Sequence, residues 1–148
     1  MRVAIGADHA GFPLKQRLTA FLTGQGHTVF DLGAHSTEPV DYPDYAVAVA
    51  RAVTEGRSDR GIMICGSGVG SSVAANKVKG VRASVAHDTY SARQGVEHDD
   101  LNVLCLGSRV IGPALAEELA KTFLDARLIR QNPYMRRLAK VNSLDDLR

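Results

Sequence analysis

The chain has 148 residues, 45% of them hydrophobic, with two cysteines, no tryptophan and a formal charge of +2 at pH 7. That length suits one domain burying roughly 68–70% of its unfolded surface, without need of disulfides or a structural metal. Cysteines only at 65 and 105 argue against a secreted disulfide framework or a zinc site and for a reducing cytoplasm; the N-terminus loses apolar character too early for a signal peptide, and no run reaches the ~18 uncharged apolar residues of a membrane span.

In chain order, short apolar runs alternate with amphipathic stretches. Arg2–Gly6 is predicted as a strand, followed by Asp8-His9. A helix comes next, with Phe12, Leu14, Leu18, Phe21 and Leu22 on one face, Pro13 near its start and Gly24 and Gly26 to stop it. Thr28–Leu32 is a second strand. After Asp41-Tyr42-Pro43, Tyr45–Val53 reads as an alanine–valine helix that ends at Gly56. Gly61–Cys65 is a third strand leading through glycines into a helix over Val69–Val78. Val81–Ala86 is a strand, Ser91–Glu97 a helix opened by Asp88 or Thr89, Val103–Gly107 a strand and Pro113–Leu124 a helix. A short helix, Tyr134–Val141, comes last.

This alternation, with few charges in the strands, predicts a single doubly wound, Rossmann-like α/β domain over residues 1–148: a five-stranded parallel sheet with helices on both faces. Ligands of such sheets sit beyond the carboxyl ends of the strands, which nominates Ala7–Gly11, Gly66–Ser72, His87–Tyr90 and Ser108–Gly112.

The tail is basic. From Arg127 onward six Lys/Arg face only Asp145 and Asp146, a local +4 on a body at −2. A polyanion, a small anion or a solvated helix face each fits that charge. A nucleic-acid surface wants a wider basic face with interleaved aromatics, and only Tyr134 is near, so nucleic acid is not an expected partner.

The segment Cys65-Gly66-Ser67-Gly68-Val69-Gly70-Ser71 is the richest in chemistry. A strand, a glycine turn and a helix start bring backbone N–H groups together where they bind anions or stabilise a forming oxyanion. Cys65 is either a thiolate favoured by that helix terminus or a small buried hydrophobe, whereas Cys105 lies inside an apolar strand and packs. Spacing tests two other uses. A dinucleotide fingerprint counted from Gly66 meets Ser71 where its third glycine belongs. A cysteine phosphatase loop needs arginine at 71.

Asp8-His9 can do acid–base work or bind an anion, or else form a turn. His98 ends a helix whose dipole favours its protonated form, in a capping or a functional role. Arg109 stands where it can point at a ligand. Arg136 and Arg137 share the last helix with Lys140. His27 and His35 read as surface or turn residues, and Asp88, beside His87, as a helix cap.

Together these segments resemble the B-type ribose-5-phosphate isomerase family and its related aldose–ketose isomerases. The match runs in order through Gly6-Ala-Asp8-His9-Ala-Gly-Phe, Val40-Asp-Tyr-Pro-Asp-Tyr45-Ala, Cys65-Gly-Ser-Gly-Val-Gly70, Ala74-Ala-Asn-Lys77, His98 with Asn102-Val, and Gly107-Ser-Arg109-Val-Ile-Gly112. The resemblance implies isomerisation through an enediolate, with no cofactor and no metal. It makes Cys65 the base, gives enediolate stabilisation to the amides of Gly66, Gly68, Val69, Gly70 and Ser71, and lets Ser67 shuttle protons between oxygens. Asp8 and His98 assist ring opening, with His98 from a neighbouring subunit and Asp99 beside it near the substrate. His9, Arg109 and Arg137 hold the phosphate. Relatives are homodimers or homotetramers with sites at the subunit interface.

Two positions depart from the family pattern: Pro133 replaces the first of two C-terminal arginines, and Asp99 stands where asparagine commonly follows the site histidine. Both bear on which sugar is used. Ribose 5-phosphate is the expected substrate, another aldose phosphate (tetrose or hexose) the alternative, and a non-catalytic nucleotide-binding module the rival of a different class.

Overall fold

The computed structural model describes residues 1–148. Strands β1 (Arg2–Ala7), β2 (Thr28–Asp31), β3 (Arg60–Cys65), β4 (Ala83–Val85) and β5 (Val103–Gly107) form one parallel sheet in the order β2-β1-β3-β5-β4. The helices are α1 (Phe12–Gly24), α2 (Tyr42–Thr54), α3 (Val69–Ala75), α4 (Thr89–Asp99), α5 (Pro113–Asp125) and α6 (Tyr134–Ser143), and a 3-10 turn closes the chain at Leu144–Leu147. No helix is long and apolar enough to cross a membrane. The doubly wound architecture read from the sequence is the one observed.

Side-chain alternation along the strands divides the core in two. Val3, Ile5 and Ala7 of β1, Ile62 and Ile64 of β3, and Leu104 and Leu106 of β5 face α1, α4 and α5. Ala4, Met63, Val103 and Cys105 face α2 and α3. Fully buried side chains such as Ile64, Leu104 and Leu119 each contribute about 1.5–3 kcal/mol relative to exposure.

Several boundaries differ from expectation for local reasons. Helix α2 begins at Tyr42 rather than Tyr45, because Pro43 in a first helical turn forfeits an N–H that has no partner there. Helix α3 stops at Ala75, short of Val78. Its next residue, Asn76, turns its side-chain amide onto β4, accepting the Ala83 N–H at 2.8 Å and donating to the Ala83 carbonyl at 2.9 Å. On the preceding residue Asn102 Oδ1 accepts the Arg82 N–H at 2.7 Å while its Nδ2 donates to Gly80 at 3.0 Å. Two side-chain amides thus define β4, which is only three residues long instead of the predicted six. Helix α4 takes in His98 and Asp99, and Asp88 caps it, its Oδ1 accepting the Ser91 N–H at 2.7 Å.

One buried charge was not foreseen. Lys15 of α1 has no exposed surface; its Nζ lies 2.5 Å from Asp31 Oδ1 and 5.4 Å from the centre of the Phe12 ring. The same Asp31 oxygen accepts the Gly33 N–H at 2.9 Å. Burial pushes the Asp31 carboxyl up, but the bonds from Lys15 and Gly33 outweigh it and hold the group below the usual carboxylate range. Gly33 and Ala34 in turn bond Ala7 on both sides, at 2.8 and 2.7 Å, bracing the end of β1.

Candidate functional site

Three neighbouring strands, β1, β3 and β5, end side by side, and each delivers a nominated segment. Beyond β1, Asp8 is buried; its N–H donates to the Ile64 carbonyl at 3.2 Å and its Oδ1 accepts the Gly11 N–H at 3.0 Å. One carboxylate oxygen therefore serves the turn into α1. His9 Nδ1 lies 3.1 Å from the Val40 nitrogen and 3.2 Å from the Val40 carbonyl oxygen, which ties the ring to the segment before α2.

Beyond β3 comes the glycine loop. Cys65 is 4% exposed, and the Gly68 N–H points at its sulfur from 3.2 Å, a donor placed for a thiolate. The Ser67 hydroxyl oxygen accepts the Val69 N–H at 3.2 Å, which leaves its own proton free to donate elsewhere. The N–H groups of Gly66, Ser67, Gly70 and Ser71 donate to no protein acceptor. Ser71 Oγ is fully buried and also without a partner. Gly68 adopts φ +81°, the left-handed conformation that starts the turn into α3.

Beyond β5 the chain folds under that loop. The Ser108 N–H donates to the Cys65 carbonyl at 2.8 Å and the Arg109 N–H to the Gly66 carbonyl at 3.0 Å. Ser108 Oγ bonds the Ala10 carbonyl at 2.8 Å, joining the third strand end to the first. A Cβ on Gly66 would lie 3.5 Å from the Arg109 guanidinium, so that side chain extends along the loop. Arg109 is exposed, and the cation can meet an anion seated there.

His98, Asp99 and Arg137 are not part of this cluster. Helix α4 runs back from the carboxyl end of β4, so His98 stands at the amino end of the sheet, near where Asn102 accepts the Gly61 N–H at 2.9 Å. Gly61 to Cys65 spans roughly 13 Å at 3.3 Å per strand residue. His98 stacks on Tyr134, ring centres 4.1 Å apart and planes 19° off parallel, and its Nδ1 is 2.7 Å from Gln94 Nε2. Arg137 follows Tyr134 by three residues on α6, which places both on one side of that helix. The nominated residues therefore form two groups at opposite ends of the sheet. A cleft of about 470 Å³ beside β4 includes Asp99, Gln94 and Arg82 but none of the Cys65 loop.

Four residues to which the sequence attached no role touch these segments. Tyr42 lies against Gly70, where a Cβ would come 2.5 Å from its ring. His87 bonds Gly107, Ser108 links two strand ends, and Tyr134 stacks on His98. Tyr42 and Ser108 lie inside the family-like segments Val40–Ala46 and Gly107–Gly112, so the signal is present in the sequence without a role attached. Cys105 is fully buried, and burial pushes its thiol far above the ordinary cysteine range, so packing is its role. No group of three or more His, Cys, Asp or Glu is arranged to hold a metal ion.

Residues 3–141 match the family described as Ribose/Galactose Isomerase. The chain is 48% identical over 126 residues to ribose-5-phosphate isomerase B of Escherichia coli, covering 85% of each chain. It is 45% identical over 127 residues to a D-erythrulose-4-phosphate isomerase of Pectobacterium atrosepticum, covering 85% of this chain and 84% of that one. The solved structure of a ribose-5-phosphate isomerase B from Clostridium thermocellum superimposes with a TM-score of 0.96 at 44% identity, covering 99% of both chains.

Proposed function

The chain belongs to the ribose/galactose isomerase family and is a sugar-phosphate isomerase; we propose that its substrate is ribose 5-phosphate, converted to ribulose 5-phosphate with Cys65 as the base. One observation carries the assignment of the base. The Cys65 sulfur stands at the head of the glycine loop with the Gly68 N–H on it, 3.2 Å away, beside four amides that have no protein acceptor.

In this reading Asp8 and His98 assist ring opening, which exposes the C1 aldehyde. The Cys65 thiolate then removes the proton on C2, and the electron pair moves through the C1–C2 bond onto the C1 oxygen. Abstracting a proton beside a carbonyl is slow unless that oxyanion is stabilised, and each preorganised donor is worth ~2.7–4 kcal/mol. The amides of the Gly66–Ser71 loop supply such donors. Ser67, whose proton is uncommitted, passes hydrogen between the two oxygens of the enediolate. Cys65 returns its proton to C1, giving the ketose. C2 is oxidised as C1 is reduced, so the isomerisation balances without an external oxidant or reductant. His9, Arg109 and Arg137 hold the phosphate.

Because Cys65 and His98 lie at opposite ends of the sheet, one protomer's loop is completed by His98 and Arg137 of its partner, in a homodimer or an assembly of dimers. Val69 and Val73, one turn apart on α3, are 57% and 58% exposed beside the loop and offer an apolar contact face for that partner. We place this enzyme in the cytoplasm, since both cysteines are free. A second reading, a tetrose or hexose phosphate substrate, is favoured by Pro133 and Asp99 and by the similarity to an erythrulose-4-phosphate isomerase.

Ketose formation from a panel of aldose phosphates tests the substrate. Ribose 5-phosphate should have the highest kcat/KM, and preference for a tetrose or hexose phosphate would replace it with the second reading. Mixing inactive Cys65→Ala and His98→Ala proteins, unfolded and refolded together, tests the shared site. Symmetric dimers predict recovery of roughly a quarter of the wild-type activity. No recovery would place both residues in one chain's site.

A further inference from the structure

We infer that His87 is a positioning residue for the glycine loop, acting through the backbone of Gly107. Strand β4 pairs with β5 only as far as Val85 opposite Cys105. Lower on this ladder the Val103 N–H donates to Arg82. N–H groups alternate sides along a strand, so that of Gly107 also faces β4, where the ladder has already ended. The imidazole of His87 takes the missing acceptor's place, with Nε2 3.0 Å from the Gly107 nitrogen. A backbone N–H can only donate, so Nε2 is the bare nitrogen and Nδ1 carries the proton.

Gly107 is the floor on which the loop rests. A Cβ there would lie 2.6 Å from the Ser67 carbonyl oxygen and 2.7 Å from its carbonyl carbon. A Cβ on Gly68 would lie 3.3 Å from the Gly107 nitrogen itself. The residues on either side, Ser67 and Gly68, carry the free hydroxyl and the N–H on the Cys65 sulfur. Movement of Gly107 toward or away from β4 therefore transmits directly to the donors of the loop. The imidazole touches none of the proposed reacting atoms; it sets the height of the backbone beneath them. His87 is itself held in place because Asn76 and Asn102 clamp the chain four and five residues before it, on Ala83 and Arg82.

The inference rests on the isomerase reading, and the experiment separates the two. Wild-type turnover of an aldose phosphate tests that reading, and the His87 series is then measured against it. His87→Phe keeps a planar ring and removes the acceptor. His87→Gln places an amide oxygen at about the reach of Nε2. A shift approaching 1 Å in a catalytic donor can cost on the order of 10²-fold, so His87→Phe is expected to lower kcat about 10- to 100-fold with KM within a factor of two. His87→Gln should recover most of the loss, and Gly107 amide exchange should quicken in the phenylalanine variant alone. Equal losses in both variants, or wild-type kcat in His87→Phe, overturn the proposal. If the phenylalanine variant does not fold, imidazole nitrogen NMR of the wild type still decides. A proton on Nε2 of His87 at neutral pH refutes the geometry, and a bare Nε2 supports it.

Discussion

Replacing Gly107 with alanine puts a methyl carbon 2.6, 2.7 and 2.9 Å from the carbonyl oxygen, carbonyl carbon and Cα of Ser67. All three are main-chain atoms, so no rotamer change relieves the contact. Reaching the 3.4 Å at which ordinary van der Waals contact begins requires a relative movement of about 0.8 Å in a close-packed region. That is the scale at which a misplaced catalytic group loses ~10²-fold. We expect Gly107→Ala to lower kcat about 100-fold, equivalent to about 2.7 kcal/mol in the barrier. Overpacking should also destabilise the fold by ~1–3 kcal/mol. Ketose formation at saturating aldose phosphate and urea unfolding measure the two effects. Gly24→Ala, where a Cβ meets nothing within 4 Å, serves as the control and should leave turnover unchanged. A kcat within threefold of wild type in Gly107→Ala would refute the claim that the loop rests on this glycine.

Other expectations follow from the same coordinates. Cys65→Ala should abolish measurable turnover, at least the ~10²–10⁴-fold that a positioned base supplies, with the fold retained. Cys105→Ala should do the reverse, costing about 1–2 kcal/mol of stability as a core truncation with kcat retained. Arg137→Ala should raise KM for the phosphate ester with little change in kcat, and an unchanged KM would assign the phosphate to other residues. The Lys15–Asp31 pair should respond asymmetrically in urea titrations. Asp31→Asn strands a fully buried ammonium and should cost roughly 3–5 kcal/mol, whereas Lys15→Met leaves a carboxylate that is 35% exposed and should cost far less. Burial lowers the pKa of His87 below its ordinary 6.5, so the unfolded chain takes up that proton first. Folding stability from this group is complete above about pH 6.5 and is lost as pH falls through the lowered value. His27, also lowered by burial, adds to the same window, so His87→Phe should flatten only part of the acid limb of unfolding free energy against pH.

The architecture was legible because its cause is local and periodic. Val3, Ile5 and Leu104, Leu106 alternate with residues facing the opposite layer, and each run ends at polar or glycine positions. What periodicity could not carry was side-chain competition for backbone groups. Asn76 ends α3 early by pairing with Ala83, a choice made by a strand that is distant in mechanism though near in sequence. Pro43 looked like a boundary and instead sits inside the first turn of α2.

The candidate site was legible by segment. Asp8, Cys65 and Arg109 end adjacent strands, as the carboxyl-end rule anticipates. The separation of His98 from Cys65 follows from the direction of α4, which strand–helix alternation implies. His87 fell in a nominated loop but drew no role, because that role depends on where β4 stops pairing, and that endpoint is set by two asparagine amides. Lys15 escaped because its spacing on α1 does not disclose that Asp31 waits across the layer.

The Asn76 amide has a consequence for solubility. A terminal strand ordinarily offers unpaired N–H and C=O groups on which another chain can template, and that is how edges seed aggregation. On Ala83 both groups are already engaged by one side chain, at 2.8 and 2.9 Å. An amide from a helix end thus imitates the first rung of a sixth strand and leaves a three-residue edge with little to recruit. The residue that truncates a helix also guards the sheet against strangers.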